Sequence, residues 1–414
     1  MRRIRLLVVA VAFSLFGALF VAVPAATGVP AASPPGEPAN TWLARRPLNI
    51  AHAGGDLEAP HETMYAFKRA VAVGADALEM DLRLSADGEV MVVHDSTINR
   101  TSNGTGEVRN FTVAELQAFD NAYWFVPGCW SCHDRPVEEY TLRGVRTGEV
   151  APPAGYDADD FAIPTLRQVF EEFPDRLLDL EIKDGPDAFA TADALAALID
   201  EYDAADQVVV VSFDDTILDH FHAVAPGIDT SPGLDTITAW FGSRGLLPGE
   251  TSLQVPPTFS GIEVVTEQFV LDAHANDLAV YVWFNGDGDD TTASYESLLD
   301  IGVDGFITGK PELLQATLDA RGPFVTPFVD GPSSDRVRPR RGRVDLTCPQ
   351  RSAFRCAGAV FVLAWNPGST LPVLVADAGA IDVARGDSVQ LTLSPTAAGA
   401  DWVRAHRGLS LIHI

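Results

Sequence analysis

Positive charge is scarce in this sequence of 414 residues, where 29 Lys and Arg side chains stand against 57 Asp and Glu. The resulting formal charge of −28 argues against nucleic acid or an anionic membrane as a partner, because both are bound through clustered Lys and Arg. Acidic surfaces mostly serve solubility. A small-molecule partner remains compatible with this balance, because a local metal site attracts an anionic substrate. No segment indicates a protein partner.

Cysteine is rare, with four residues in two local pairs, Cys129/Cys132 and Cys348/Cys356. In an exported protein such pairs are typical of short disulfide loops. Residues 129–133 also match the attachment pattern of c-type haem, but no surrounding helix or axial ligand accompanies the match. A zinc site would have only three nearby ligands. Disulfides or free thiols are therefore the expectation.

One long apolar run stands at the N-terminus, where residues 6–23 follow the basic sequence MRRIR and precede small residues and prolines. This pattern predicts a secretory signal peptide over residues 1–31, cleaved after Ala25 or Ala31, and a linker over 32–46. An uncleaved membrane anchor is the alternative, because about 18 apolar residues just span a bilayer. The protein is thus expected to be secreted or held at the cell surface.

Apolar runs alternate with helical patterns from residue 47 to residue 322, which predicts a TIM-type (β/α)8 barrel. An open, doubly wound sheet is the second choice, because it has the same alternation. Residues 95–163 are weakly periodic and predict a long insertion over the barrel mouth. Residues 323–343 indicate a linker. Residues 344–414 predict a small β-rich module, truncation being an open alternative because the chain stops within an apolar run.

Two carboxylates, Glu79 and Asp81, are two residues apart in a predicted strand and therefore point to the same face. Buried carboxylates raise each other's pKa unless a cation lies between them. Glu181 ends another apolar strand and is a third candidate ligand. Three carboxylates at strand ends suit a divalent cation such as Ca²⁺ or Mg²⁺. Structural ion pairing is the competing interpretation.

Two histidines, His52 and His94, also stand at the ends of apolar runs. A single histidine is most often an ordinary core residue. Two of them beside a carboxylate pair indicate acid–base catalysis, in which one deprotonates the attacking oxygen and the other protonates the leaving oxygen.

Several segments in the same order resemble the glycerophosphodiester phosphodiesterases over about residues 47–320. The segments that carry the resemblance are His52-Ala53-Gly54, Pro60-His61-Glu62-Thr63, Glu79-Met80-Asp81, His94-Asp95, residues 100–106, Leu180-Glu181-Ile182-Lys183, Val211-Ser212-Phe213, Val282-Trp283-Phe284-Asn285 and residues 304–308.

The resemblance implies a TIM-type barrel, a divalent metal cation, and hydrolysis of glycerophosphodiesters to glycerol 3-phosphate and an alcohol. It implies that His52 and His94 are the acid–base pair. It further implies that the metal is held by Glu79, Asp81 and Glu181, and that substrate is contacted by Lys183, Trp283, Gly54 and Glu62.

Four residues depart from the family pattern. Ala53 stands where the family has an arginine that would grip the phosphate. His61-Glu62 replaces Glu-Asn, and Gly309 replaces an aspartate after Thr308. His61 and Lys183 are candidates for the missing positive charge.

Two alternatives remain open from these departures. One is a related phosphodiesterase acting on phospholipid or teichoic acid, which would expose the insertion's aromatic residues Trp124, Phe125 and Trp130, although packing at the barrel rim is the expectation for them. The other is a catalytically impaired surface binding protein.

Overall fold

The computed structural model describes residues 40, 42–43, 47–130, 132–284 and 289–321, and the backbone of five strands between residues 343 and 395. One compact unit spans Pro47–Arg321. The predicted signal peptide or anchor over residues 1–31 lies outside the described residues, as does nearly all of the predicted linker 32–46. Within the described part, no helix has the length and apolar character needed to cross a bilayer.

Eleven strands belong to the described part of Pro47–Arg321. They are β1 (Leu48–Ala51), β2 (Ala77–Leu84), β3 (Val90–Val92), β4 (Leu177–Ile182), β5 (Val208–Val211), β6 (Asp229–Thr230), β7 (Ser252–Val255), β8 (Thr258–Phe259), β9 (Ile262–Glu263), β10 (Ala279–Trp283) and β11 (Gly305–Thr308).

Nine α-helices are interleaved with these strands in the described part of the unit. They are α1 (Met64–Val73), α2 (Val113–Leu116), α3 (Leu166–Glu172), α4 (Ala188–Glu201), α5 (Asp215–Val224), α6 (Leu234–Ser243), α7 (Glu267–Ala275), α8 (Thr292–Asp300) and α9 (Pro311–Arg321).

Local chemistry explains where α1 begins and ends. The Thr63 hydroxyl accepts the main-chain N–H of Ala66, which caps the first turn. Gly74 ends the helix at φ 106°, a left-handed conformation that favours glycine. The helix buries Met64 and Phe67 against the barrel.

Eight parallel strands form a ring in the order β6-β5-β4-β2-β1-β11-β10-β7. Between β6 and β7 the ring is completed by a parallel bridge from Thr230 to Glu250 and by the Thr251 N–H, which donates to the Thr230 carbonyl at 3.0 Å. The TIM-type barrel predicted from the alternation is therefore confirmed, and the open doubly wound sheet is wrong. β3 pairs antiparallel with β2 outside the ring, as the hairpin signal predicts.

The predicted insertion, residues 95–163, contains a short α-helix and three 3₁₀ helices, and it packs through small apolar clusters of its own. One of these joins Ile98, Val108 and Leu116 to Met91 of β3. Trp124 packs inside the insertion against His133 and Arg143. Trp130 is exposed and lines the cavity at the barrel mouth.

Five further strands are described after the barrel in the sequence: β12 (Arg343–Thr347), β13 (Cys356–Trp365), β14 (Pro372–Val383), β15 (Ser388–Thr392) and β16 (Ser394–Pro395). β12 pairs antiparallel with β15, and β14 lies between β13 and β16 in a three-stranded antiparallel sheet. The β-rich character predicted for this region is confirmed. Cys348 and residues 409–414 lie outside the described residues.

Candidate active site

His52 stands directly after β1, at the carboxyl end of the barrel strands. Its Nδ1 lies 3.1 Å from Asp56 Oδ1. Because Nδ1 has this partner, Nε2 is the ring nitrogen left for a ligand. Burial lowers the pKa of His52, but Asp56 and Glu79 outweigh burial and raise it well above the ordinary value.

Ala53 follows His52 at φ 46°, so the family's arginine position is occupied by a small residue in left-handed backbone. Its side chain is fully buried. Its main-chain N–H donates to Glu79 Oε2 at 2.7 Å. This bond ties the end of β1 to one of the site carboxylates.

Glu79, Asp81 and Glu181 come together as the sequence predicts. In the register between β2 and β4, Asp81 lies opposite Glu181. One oxygen from each of the three carboxylates lies within 4.8 Å of the others. Burial raises the pKa of Glu79 and Glu181, and the neighbouring Asp81 raises both further. Asp81 Oδ2 is buried and has no hydrogen-bond partner.

These features fit a divalent cation. An unpartnered buried carboxylate oxygen is costly unless something positive contacts it. Oxygen ligands from several carboxylates are those that Ca²⁺ and Mg²⁺ prefer. His61, Glu62 and Asp81 also have one possible ligand atom each within 4.8 Å of the others. Both oxygens of Glu62, however, already accept main-chain N–H groups.

Lys183 lies beside the three carboxylates. Its Nζ is 3.2 Å from Asp81 Oδ1 and 2.7 Å from Glu181 Oε1. Burial lowers the pKa of Lys183, but Asp81 and Glu181 outweigh burial and raise it above the ordinary value. The ammonium therefore stays charged at the site.

His94 follows the hairpin strand β3 and is held in the same manner as His52. Its Nδ1 lies 2.7 Å from Asp95 Oδ1, and Arg100 Nε donates to Asp95 Oδ2 at 2.8 Å. Trp130 packs edge-on against the His94 ring, at 5.8 Å between centroids. Both histidines thus have a carboxylate on Nδ1, an arrangement that fixes the orientation of an imidazole used for proton transfer.

His61 does not supply the positive charge that Ala53 lacks. Burial lowers the pKa of His61, and the nearby Arg100 guanidinium lowers it further, so the ring is neutral. Its Nδ1 lies 3.1 Å from Glu62 Oε2. Of the two candidates named from the sequence, Lys183 alone carries a charge at the carboxylates.

Glu62 and Gly54 stand behind the site and do not line its cavity. Glu62 Oε1 accepts the main-chain N–H of Asp81 at 2.9 Å, and Oε2 accepts that of His94 at 2.7 Å. A Cβ on Gly54 would meet the Ala66 side chain at 2.7 Å, so glycine permits the close approach of α1. Substrate contact by Glu62 and Gly54 stays a prediction. The contacts that the structure shows for them are with other residues of the protein.

A cavity of about 500 Å³ opens at the carboxyl ends of the barrel strands. Trp283 and Trp130 line it, and its polar lining includes His52, Glu79, Asp81, His94, Glu181 and Lys183. The Trp130 ring stacks over the Arg100 guanidinium at 4.1 Å. The flanking Cys129 and Cys132 form a disulfide, so neither is available for thioether attachment of haem. The cavity therefore joins two histidines, charged groups and aromatic side chains in one space.

Gly309 stands where the family pattern has an aspartate, and the structure shows why a side chain does not fit there. A Cβ would lie 2.6 Å from Asp56 Oδ1 and 2.8 Å from Leu57 Cγ. Gly309→Asp is therefore expected to lower the free energy of unfolding by about 2 kcal/mol through overpacking. It should also lower kcat by displacing Asp56 from His52. Chemical denaturation and steady-state kinetics check both effects.

Gly242→Asp is the matched control for this prediction, because an added Cβ there meets nothing within 4 Å. Equal stability and equal kcat for the two variants would contradict the steric account of Gly309.

Two residues of the site were given no role from the sequence. Asp56 stands four residues after His52, a spacing that signals a contact only when the intervening chain forms a turn. Arg100 belongs to a family-like segment, but nothing local shows that it holds Asp95. The Cys129–Cys132 spacing does signal that Trp130 is held in a tight loop.

Comparison with known proteins identifies the family to which the sequence is similar. The model of the glycerophosphoryl diester phosphodiesterase family matches residues 52–313. A glycerophosphodiester phosphodiesterase of Caldanaerobacter subterraneus subsp. tengcongensis is 30% identical over 277 residues, which are 64% of this chain and 96% of that protein.

Solved structures share the fold. The glycerophosphoryl diester phosphodiesterase domain of a Mycobacterium tuberculosis protein has a TM-score of 0.52 at 20% identity, covering 67% of this chain and 99% of its own. A phosphodiesterase of Oleispira antarctica, solved in complex with the product sn-glycerol-3-phosphate, has a TM-score of 0.50 at 21% identity, covering 66% of this chain and 97% of its own.

The sequence match and the shared fold confirm the resemblance carried by the motifs around His52, Glu79 and His94. The family match spans more than half of the sequence. This chain belongs to the glycerophosphoryl diester phosphodiesterase family.

Proposed function

We propose that this chain hydrolyses glycerophosphodiesters to glycerol 3-phosphate and an alcohol. The observation that carries the proposal is the presence of His52 and His94, each with Nδ1 on a carboxylate, in one cavity with three further carboxylates. The oxygen of water bonds to phosphorus, and the bond from phosphorus to the alcohol oxygen breaks. One histidine takes the proton from the attacking oxygen, and the other protonates the leaving oxygen.

We further propose that Glu79, Asp81 and Glu181 hold a divalent cation, Ca²⁺ or Mg²⁺. The unpartnered Asp81 Oδ2 and the raised pKa of Glu79 and Glu181 support this assignment. Bound there, the cation supplies positive charge to the phosphoryl oxygens. Lys183 adds a second positive charge near the phosphate, which replaces part of what an arginine at Ala53 would provide. Trp283 offers an apolar wall to the substrate.

Release of choline and glycerol 3-phosphate from glycerophosphocholine by the purified chain tests this function. We expect turnover that falls at least about 100-fold in EDTA, because the phosphoryl charge is then uncompensated, and that returns with Ca²⁺ or Mg²⁺. Asp81→Asn should abolish the dependence on added metal together with most of the activity. Asp206→Asn, which changes an exposed carboxylate away from the cavity, is the control.

Two outcomes would contradict these proposals separately. Equal turnover with and without EDTA would refute the proposed role of the cation and leave the proposed reaction standing. No turnover of any glycerophosphodiester by the metal-supplemented chain would refute the reaction and favour a surface binding protein. Against such a binder stands the orientation of both histidines by carboxylates, which binding alone does not require.

We also propose that the protein is exported, and the support is the signal-peptide pattern of residues 1–31. N-terminal sequencing of the protein recovered outside the producing cell should begin after Ala25 or Ala31. Recovery in the membrane fraction with an intact N-terminus would instead indicate an anchor.

A further inference from the structure

The cavity extends beyond the catalytic groups into a space walled by apolar side chains, which we name the apolar arm. Its walls include Phe213 after β5, residues of α6, and residues of the β8–β9 hairpin. The side chains that define it are Phe213, Leu234, Ile237, Phe241, Phe259 and Ile262. Glycerol, phosphate and choline are polar or charged, so a simple glycerophosphodiester has no group that matches these walls.

One face of α6 is directed at the arm. Leu234, Ile237, Thr238 and Phe241 recur at the spacing i, i+3, i+4 and i+7, and all four line the cavity. Trp240, which lies outside this face, is the buried residue of the helix and packs against Phe269. Phe241 also lies beside Phe269, at 6.2 Å between ring centroids, so the apolar face of α6 lines the cavity and meets the core only at its last turn.

The β8–β9 hairpin adds a second apolar wall. Phe259 and Ile262 are paired across its two strands, and they are 45% and 57% exposed. Leu234, on the wall formed by α6, is 39% exposed. Exposed apolar side chains grouped at a cavity mouth mark a binding site for an apolar group.

We propose that the apolar arm binds one long alkyl group of the substrate. The protein would then cleave phosphodiesters that carry such an alkyl group on the glycerol or on the alcohol. The inference rests on the proposed function. The arm and the histidines belong to one continuous cavity, so the occupant of the arm is part of the molecule whose phosphate is cleaved. With an acyl group on the glycerol, water and the phosphodiester give acylglycerol phosphate and the free alcohol, which takes the proton.

A chain-length series tests the proposal. Choline release is measured from glycerophosphocholine and from its hexanoyl, octanoyl and decanoyl monoesters, each below its critical micelle concentration. We expect kcat/KM to rise about fourfold for each methylene that enters the arm, a factor set by the transfer of methylene groups from water. A parallel series of glycerophospho-N-acylethanolamines, read by release of glycerol 3-phosphate, shows whether the chain belongs to the alcohol instead.

Leu234→Asn and Ile262→Asn place polar groups in the two walls at exposed positions, where folding tolerates them. Each should lower the ratio of kcat/KM for the decanoyl ester to that for glycerophosphocholine at least tenfold. Leu246→Asn, at a residue that is 77% exposed and outside the cavity, is the matched control and should leave the ratio unchanged.

The outcomes separate this inference from the proposed function. Cleavage of glycerophosphocholine with no dependence on chain length in either series overturns the inference and leaves the proposed function standing. Absence of cleavage in every substrate overturns both. A drop in melting temperature for Leu234→Asn and Ile262→Asn, with the chain-length dependence intact, shows that protein fills the arm and also overturns the inference.

Discussion

Replacement of either His52 or His94 by glutamine is expected to lower kcat for glycerophosphocholine by about 10²–10⁴-fold, the range that a positioned acid or base contributes. KM should change little, because neither imidazole is needed to hold the ground state of the substrate. Asp56 and Asp95 hold the two imidazole rings through Nδ1. Glutamine cannot transfer a proton as imidazole does, so each variant loses a proton-transfer group that is held in a fixed orientation. Steady-state kinetics of the two variants measures the effect.

Substrates with different leaving groups distinguish the general acid from the general base. A phosphodiester with a nitrophenyl leaving group needs no protonation as the bond breaks, so the variant that lacks the acid should recover most of its rate on that substrate. The variant that lacks the base should stay slow on both substrates. Recovery by both variants, or by neither, would contradict the division of labour between His52 and His94.

His220→Gln is the matched control, because His220 also pairs with an aspartate. Its Nε2 lies 2.7 Å from Asp193 Oδ1 on the outer helices, α5 and α4, and outside the cavity. This variant should retain full kcat. A loss comparable with that of the site variants would mean that kcat responds to histidine loss in general.

The parts of the site that the sequence predicts are those encoded in local spacing. Glu79 and Asp81 share a face because side chains alternate along a strand, and the structure places both beside Glu181. The histidines at the ends of apolar runs meet them because the carboxyl ends of parallel strands share one rim. Local pattern and closed barrel together account for this cluster.

Contacts between distant segments are not encoded in this way. Glu62 contacts main-chain groups that are 19 and 32 residues away, so no spacing rule identifies its partners. The substitution of Gly309 for aspartate likewise makes sense only when Asp56 is seen to occupy the space. Such compensations depend on tertiary packing, which a single sequence does not display.

The orientation of helix α6 is likewise a property of tertiary packing. Its apolar residues lie mostly toward the cavity, and Trp240 is its buried residue. Gly233 precedes the helix without a side-chain cap, so the usual signal for its beginning is absent. The apolar residues recur at helical spacing, but that spacing does not show whether they face a core or a cavity.

Glu62→Ala should have the largest effect on stability. Its carboxylate accepts the buried main-chain N–H of Asp81 and the part-buried main-chain N–H of His94, and alanine would leave both unpaired. The loss is expected to lower the free energy of unfolding by about 3 kcal/mol, since each unpaired buried donor costs about 1–3 kcal/mol. Urea denaturation followed by intrinsic fluorescence measures it.

The same variant distinguishes a positioning role from a purely structural one. If Glu62 holds Asp81 and His94 in place, kcat falls in Glu62→Ala even at temperatures where the variant is fully folded. Glu62→Gln keeps one acceptor oxygen and should recover about half of the lost stability and part of kcat. Glu201→Ala, at an exposed ion pair with Arg167, is the control and should cost less than about 1 kcal/mol. Normal kcat in folded Glu62→Ala would show that this carboxylate stabilises the barrel mouth without positioning the groups that act on the substrate.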